Sequence, residues 1–411
     1  MSPCILFQSA QVFDGDSASL KPNSVLVDHG VIRRVSASPI DPPPGADVVD
    51  CGGRVLMPGL IDAHVHVYAH GLNVTRLAQT PPTYSAHFAA RFLHAALDRG
   101  FTTVRDTGGA DVGLACAIRD GLLDATPRLF YGGRVISQTG GHGDFRPGDH
   151  ALDAGCCGCY GTNFTVLADG VDAVRKAIRE ELRRGANHIK VMASGGVASP
   201  TDPLDRCQYS DEELRAAVDE ADRFGSYIVT HCHPAAAVRR SALFGVRSIE
   251  HCTMMDQESA AIMAEKGAYA VPTMATIVAL ADDGASLGLP QVSVTKLRRV
   301  ADSAYASLEI LHRAGVKMGF GTDLLGPHHV RQSSEFGLRA KVLPAIEILR
   351  SACSVNAELM FQSGKIGRIQ EGALADLLVV DGNPLDDVTS LADHANLRVI
   401  MKDGRFHKRT I

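Results

Sequence analysis

The chain contains no apolar run approaching the roughly 20 residues that a membrane-crossing helix requires. Its start, Met1-Ser2-Pro3-Cys4-Ile5-Leu6-Phe7, has neither the charged segment nor the small-residue cleavage pattern of a secretory leader. It also lacks an excess of one charge: 41 Lys and Arg against 46 Asp and Glu leave a formal −5, with the basic residues scattered. No electrostatic footprint for nucleic acid or an anionic membrane is visible. These absences predict a cytoplasmic protein whose partner is a small molecule. The ten cysteines have no regular spacing, which argues for reduced thiols and against a disulfide framework. Cys156, Cys157 and Cys159 cluster, but no second Cys or His pair follows at zinc-finger distance, so they read as ordinary thiols of a loop.

What is present is 411 residues of 45% hydrophobic content, enough for one large domain and a smaller one. Near the start, Cys4-Ile5-Leu6-Phe7, Ser24-Val25-Leu26-Val27 and Val31-Ile32-Arg33-Arg34-Val35 are short β-type runs. The turn signals Asp14-Gly15-Asp16 and Asp28-His29-Gly30 separate them, and Pro42-Pro43-Pro44-Gly45 is a stiff connector. The C-terminal stretch repeats this texture in Asp376-Leu377-Leu378-Val379-Val380, in Leu397-Arg398-Val399-Ile400-Met401 and in the turn Lys402-Asp403-Gly404-Arg405. Two half-units at opposite ends predict one small β-sandwich, residues 1–57 with 362–411, around a central domain of residues 58–361.

In the central domain the period changes. Short apolar strands alternate with helical segments, the pattern of a parallel sheet with crossover helices. Strands are predicted over 60–67, 101–107, 128–135, 188–194, 227–232, 247–252, 268–274 and 316–323, and eight is the count of an α/β fold closed as a (β/α)8 TIM-like barrel. One helix is explicit: Ser210 and Glu213 form a capping box, Leu214, Ala217, Val218 and Ala221 recur at helical spacing, and Gly225 stops it. The Gly- and Cys-rich stretch from Gly140 to Gly161 follows the third strand, on the side where barrels keep substrate contacts.

The run Pro58-Gly59-Leu60-Ile61-Asp62-Ala63-His64-Val65-His66 ends in two histidines one residue apart, which a strand turns to the same side. Alone, such a pair also fits a core or a loop. Lys190 lies in the fourth predicted strand, His231 ends the fifth, His251 the sixth and Asp323 the eighth, so all would meet at one mouth. Imidazole and carboxylate ligands suit Zn, Mn, Fe or Co, and the lack of thiolates among them suits a catalytic site with an open water position. Lys190 is the odd member: an ammonium beside two cations must lose its charge, change chemically or point elsewhere.

With these residues in view, the chain resembles the metal-dependent amidohydrolase superfamily from end to end. The matching segments are Met57 to His66, Thr103-Val104-Arg105-Asp106, Ser248-Ile249-Glu250-His251, Gly319-Phe320-Gly321-Thr322-Asp323, Gly372-Ala373-Leu374-Ala375-Asp376-Leu377 and Asp381-Gly382-Asn383-Pro384-Leu385. The segment Lys190 to Pro203 narrows the likeness to the imidazolonepropionase-like branch with Xaa-Pro and Xaa-Arg dipeptidases and ochratoxin-hydrolysing amidases. The resemblance implies two zinc ions bridged by a carboxylated Lys190, with His64, His66 and Asp323 on the first and His231 and His251 on the second. It further implies a homo-oligomer, octamers included. Gly140-Gly141-His142-Gly143-Asp144 matches a loop whose His meets the substrate's α-carboxylate, although a Gly-rich turn would have the same composition. Where some dipeptidases carry Tyr two residues after the fifth-strand ligand, this chain has His233, which puts the oxyanion contact on imidazole and weakens the dipeptidase likeness.

The expected activity is zinc-dependent hydrolysis of an amide, in an N-acyl amino acid or dipeptide-like substrate with a free carboxylate. A metal-bridging hydroxide would attack, His233 would help hold the oxyanion, and Asp323 would move the proton. The alternative is another C–N bond, in a cyclic amide, a urea-type compound or an N-acylated aromatic such as a mycotoxin. Deamination fits less well, since His231 leads into Cys232-His233-Pro234-Ala235 with no acid. A non-catalytic assembly protein would have lost ligands, and none is missing.

Overall fold

The computed structural model describes residues 4–73, 76, 77, 80–146, 164–199 and 201–411. Cys156, Cys157 and Cys159, with most of the predicted 140–161 loop, lie outside the described residues. The first strands are β1 (Ile5–Val12), β2 (Lys21–Asp28), β3 (Val31–Ser36), β4 (Asp47–Asp50) and β5 (Val55–Pro58). The β2–β3 hairpin turns on His29 and Gly30, both at positive φ, as a two-residue turn matching strand twist requires. At the other end come β15 (Leu377–Val380), β16 (Leu397–Lys402) and β17 (Arg405–Arg409). All eight join one sheet, ordered β17-β16-β15-β5-β1-β2-β3 with β4 paired to β1, and the antiparallel β15–β5 pair links the two ends of the chain. Alternation sends Ile5, Phe7, Val25, Leu377, Val399 and Met401 into one core, while Val55, Met57, Leu378 and Ile400 join the core of the central region.

The central strands are β6 (Leu60–Val65), β7 (Phe101–Asp106), β8 (Arg128–Tyr131), β9 (Val135–Ser137), β10 (Thr165–Leu167), β11 (Ile189–Met192), β12 (Ile228–Pro234), β13 (Ser248–Met254) and β14 (Tyr269–Val271). They pair in parallel as β6-β7-β8 and as β10-β9-β11-β12-β13-β14. Helices lie between most successive strands, among them Val171–Arg183, Asp211–Arg223 and Ala235–Leu243. The Asp211–Arg223 helix starts at the Ser210–Glu213 capping box, ends before Gly225 at φ 68, and buries Leu214, Ala217 and Ala221. Burying Leu214 contributes about 1.5–3 kcal/mol.

Two predicted strands are built differently. The 128–135 run breaks at Gly132 and Gly133, where an added Cβ would lie 2.9 Å from His188 and 2.3 Å from Glu181, so β8 and β9 are separate. The predicted 316–323 strand is not formed. Its ladder reduces to a parallel bridge between Met318 and Ala270, and single backbone bonds take over: Ala63 N donates to Phe320 O, and Asp323 N donates to His64 O. Gly319 and Gly321 lie too close to Asn356 and Val271 for a side chain, and Asp323 turns to φ 53, so the segment follows its neighbours without strand geometry. Asn187 N likewise donates to Tyr131 O and ties β8 to the approach of β11.

Candidate metal centre and its surroundings

His64 lies in β6 and His66 just beyond it, and both rings face Asp323: their Nε2 atoms are 3.4 and 3.2 Å from its Oδ1. The Nδ1 atoms are engaged elsewhere. His64 Nδ1 is 2.6 Å from Glu250 Oε2, and His66 Nδ1 is 2.8 Å from the Gly108 carbonyl. This fixes which nitrogen each ring offers to the mouth. Asp62 ties the group together, accepting from the backbone N–H groups of His64 and Thr322 and from the side chains of Thr322 and Gln332.

His251 enters from β13. In an unbroken strand Glu250 and His251 point to opposite faces, yet both reach the centre, because His251 takes φ 71. Backbone held in this region clusters at functional sites. The ligand atoms of His64, His251 and Asp323 lie within 4.8 Å of one another, close enough to share an ion. His251 Nδ1 is 2.8 Å from Thr273 Oγ1. His231 and His233 come from β12: His231 Nε2 is 3.3 Å from the Gly195 carbonyl, and His233 Nδ1 is 2.7 Å from Thr253 Oγ1. The ring of His231 lies 4.5 Å from His251 and 4.1 Å from His142, centroid to centroid.

Lys190 projects from β11 into the same space. Its ammonium is buried and has no hydrogen-bond partner among the described residues. Burial pushes it down to about 8. Burial also drives His231 and His251 well below the ordinary histidine range and His233 down to about 3. Burial would raise the Asp323 carboxyl, but His64 and His66 outweigh it and hold Asp323 well below the usual carboxylate range. Beneath the mouth, Arg105 Nη2 donates to Glu250 Oε1 at 2.9 Å with both side chains fully buried, and against the effect of burial it holds Glu250 at about 2.

His142, its ring packed on that of His231, lines a cavity of about 1090 Å³, open entrance included, whose walls include Phe145, Phe164, Ile277, Leu289, Leu297 and Val300. His64, His66, Lys190, His231, His233, His251, Asp323 and His142 all line this one space. The sequence reading gave no role to Glu250, Arg105, Asp202, Ser199 or Lys296. Glu250 carried a local signal, its place beside His251 in an apolar strand where a carboxylate needs a partner.

Parallel strands with crossover helices bring together a cluster of imidazoles and a carboxylate, a donor set of the kind that holds a divalent metal ion. Residues 55–406 match the amidohydrolase family. The chain belongs to that family and is a hydrolase acting on carbon–nitrogen bonds. Ochratoxinase of Aspergillus niger is 34% identical over 377 residues, 86% of this chain and 76% of the relative. The crystal structure of a prolidase complexed with N-methylphosphonate-L-proline is 45% identical, with TM-score 0.95 over 99% of this chain and 100% of the other. A Xaa-Pro dipeptidase with methionine bound in its active site is 30% identical, with TM-score 0.88 over 98% and 100%. No described helix is long and apolar enough to cross a membrane.

Proposed function

We propose that the protein hydrolyses an amide whose leaving half carries a free carboxylate and whose acyl half is apolar. The observation that carries this reading is that His64, His66, His231, His251, Asp323, Lys190 and His142 all line one apolar-walled cavity. The donor set suits two divalent ions, read as zinc: His64, His66 and Asp323 would hold one, and His231 would hold the other with His251, whose ligand atom also lies within 4.8 Å of those of His64 and Asp323. Lys190, carboxylated on Nζ, would bridge them. Its buried, unpartnered Nζ supports this, because a neutral amine reacts with CO₂ and the resulting carbamate has two oxygens to offer. When bound, the ions supply Lewis acidity and lower the pKa of a coordinated water toward 7.

The chain's own groups do the rest. Asp323 accepts a proton from the attacking water and delivers it to the leaving nitrogen. His233, steadied at Nδ1 by Thr253, contacts the carbonyl oxygen as charge develops there. His142 pairs with the substrate carboxylate, a group also present in the proline half of the ligand bound to the prolidase. The aliphatic and aromatic wall excludes water and takes the acyl half. That wall also favours the second reading, hydrolysis of another C–N bond such as that of an N-acylated aromatic compound.

We further propose that the two parallel sheets close as a (β/α)8 barrel, with the bonds at Ala63, Asp323 and Asn187 bridging the gaps. The terminal sheet would fold over itself as a β-sandwich, since Gly404 N donates to Ala375 O and Ile32 N to Ala373 O. The test is elemental analysis with a turnover screen of N-acyl amino acids, their methyl esters, dipeptides and N-acyl anilides, scored by released amine. About two zinc ions per chain and acids outrunning their esters are expected. Acids and esters cleaved at equal rates would remove the carboxylate from the reading.

A further inference from the structure

We infer that Asp202, Ser199 and Lys296 form a mount that positions His142 in the cavity, so that the loop after β11 and the helix Gln291–Arg313 set substrate affinity together. The inference rests on the reading of His142 as the carboxylate contact.

The hydrogen bonds define the mount. The Ser199 hydroxyl has one hydrogen and donates it to Asp202 Oδ1. The 2.6 Å contact between His142 Nδ1 and Ser199 Oγ therefore runs from the ring N–H to the hydroxyl oxygen, with Asp202 Oδ2 3.3 Å from the same nitrogen. Nδ1 is committed to the protein, and Nε2 is left for whatever occupies the cavity. Asp202 is held in turn by the Gly196 N–H at 2.8 Å. Lys296 fastens the loop from the far side, donating to the carbonyls of Gly196 at 3.0 Å, Ser199 at 2.9 Å and Asp202 at 2.5 Å, with Asp202 Oδ1 at 3.5 Å. Its side chain is 12% exposed and that of Asp202 1%, so water competes little for these bonds.

Packing constrains the ring as tightly. A Cβ on Gly196 would lie 2.2 Å from Cε1 and 2.4 Å from Nε2 of His142, so the imidazole rests against bare backbone. Its ring also packs on His231, at 4.1 Å and 30°. The backbone N–H of His142 donates to Gln208 Oε1, fixing the other end of the residue. The same two elements also contribute to the apolar wall, since Val197 and Ala198 follow the loop's glycines and Leu297 and Val300 follow Lys296. A shift of either element moves the carboxylate contact against the acyl pocket, and such misplacements of about 1 Å can cost 10²-fold.

The experiment compares zinc-loaded wild type with Asp202→Asn, Lys296→Met, Gly196→Ala and His142→Ala on an N-acyl amino acid and its methyl ester. Each mount variant should raise KM for the acid roughly 10- to 100-fold, with a much smaller change in kcat and in the ester's kcat/KM. Adding Asp202→Asn to His142→Ala should cost little more than His142→Ala alone. Gly196→Ala keeps every polar group of the mount and tests the ring's seat even where Asp202→Asn fails to fold. If His142→Ala does not separate acid from ester, the reading of His142 falls. If it does, but the folded mount variants leave the acid's KM unchanged or lower kcat equally for acid and ester, the mount is overturned.

Discussion

The two sides of the centre are built from different materials. Around His64 and Asp323 the supports are charged and buried, with Glu250 holding His64, Arg105 holding Glu250 and Asp62 tying β6 to the segment of Asp323, while His66 rests on the Gly108 carbonyl. Around Lys190, His231 and His251 the supports are neutral or missing. Thr273 tethers one imidazole, a carbonyl 3.3 Å away meets another, and Lys190 has no partner among the described residues. The first side is preorganised by its own charges. On the second, burial favours neutral imidazoles at His231 and His251, and under the proposed function the missing charge comes from the carbamate formed on Lys190.

The sharpest way to break this contrast is to remove the group that awaits that charge. Lys190→Ala should abolish detectable turnover and lower zinc from about two per chain to about one or fewer, because the first side keeps its carboxylate and the second loses its bridge. Acetate at high concentration should restore part of the activity by occupying the vacated position. Retention of two tightly held ions in the variant would erase the distinction between the sides. Asp323→Asn acts on the first side and should be smaller: the residue keeps its size and one oxygen but loses the base, so kcat should fall by roughly 10² to 10⁴. Near-normal kcat with zinc retained would assign the proton to another group.

The sequence made the polar inventory of this mouth legible for a local reason. Each of His64, His231 and His251 lies in an apolar strand run, and for His64 and His231 that local position is enough to bring it to the mouth. The capping box at Ser210 was legible for the same reason, all its signals lying within four residues. What stayed hidden is the support. Arg105 meets Glu250 across 145 positions and Lys296 meets Asp202 across 94, and nothing in either neighbourhood names the partner. The 316–323 segment misled because its residues suit a strand, while close contacts at Gly319 and Gly321 and the left-handed turn at Asp323 are tertiary facts. His251 shows the same limit, since strict alternation would send it away from the face that Glu250 occupies.

Glu250→Gln tests the charged support directly. It keeps a hydrogen-bond acceptor for His64 but removes the charge, and loss of such a partner typically costs 10–100-fold in metal affinity or activity. Zinc affinity measured against a competing chelator should fall within that range on the first side. A parallel thermal melt is needed, because Arg105 is fully buried beside Glu250 and an unpaired buried charge destabilises by about 3–5 kcal/mol. Unchanged affinity in a folded variant would mean that Glu250 serves Arg105 and the core, not His64.

Thr273→Val makes the matching change on the second side and should be the smallest. Valine keeps the shape and removes the hydroxyl that meets His251 Nδ1 at 2.8 Å. A neutral hydrogen bond contributes only about 0.5–1.5 kcal/mol net, so zinc affinity should fall by roughly 2- to 12-fold, less than for Glu250→Gln. The order of the two losses carries the argument. If the hydroxyl proves worth as much as the carboxylate, charge is not what sets the two sides apart, and the lone Lys190 becomes their sole difference. If the order holds and Lys190 is carboxylated as proposed, zinc binding on the second side should strengthen with dissolved CO₂ while the first side stays indifferent to it.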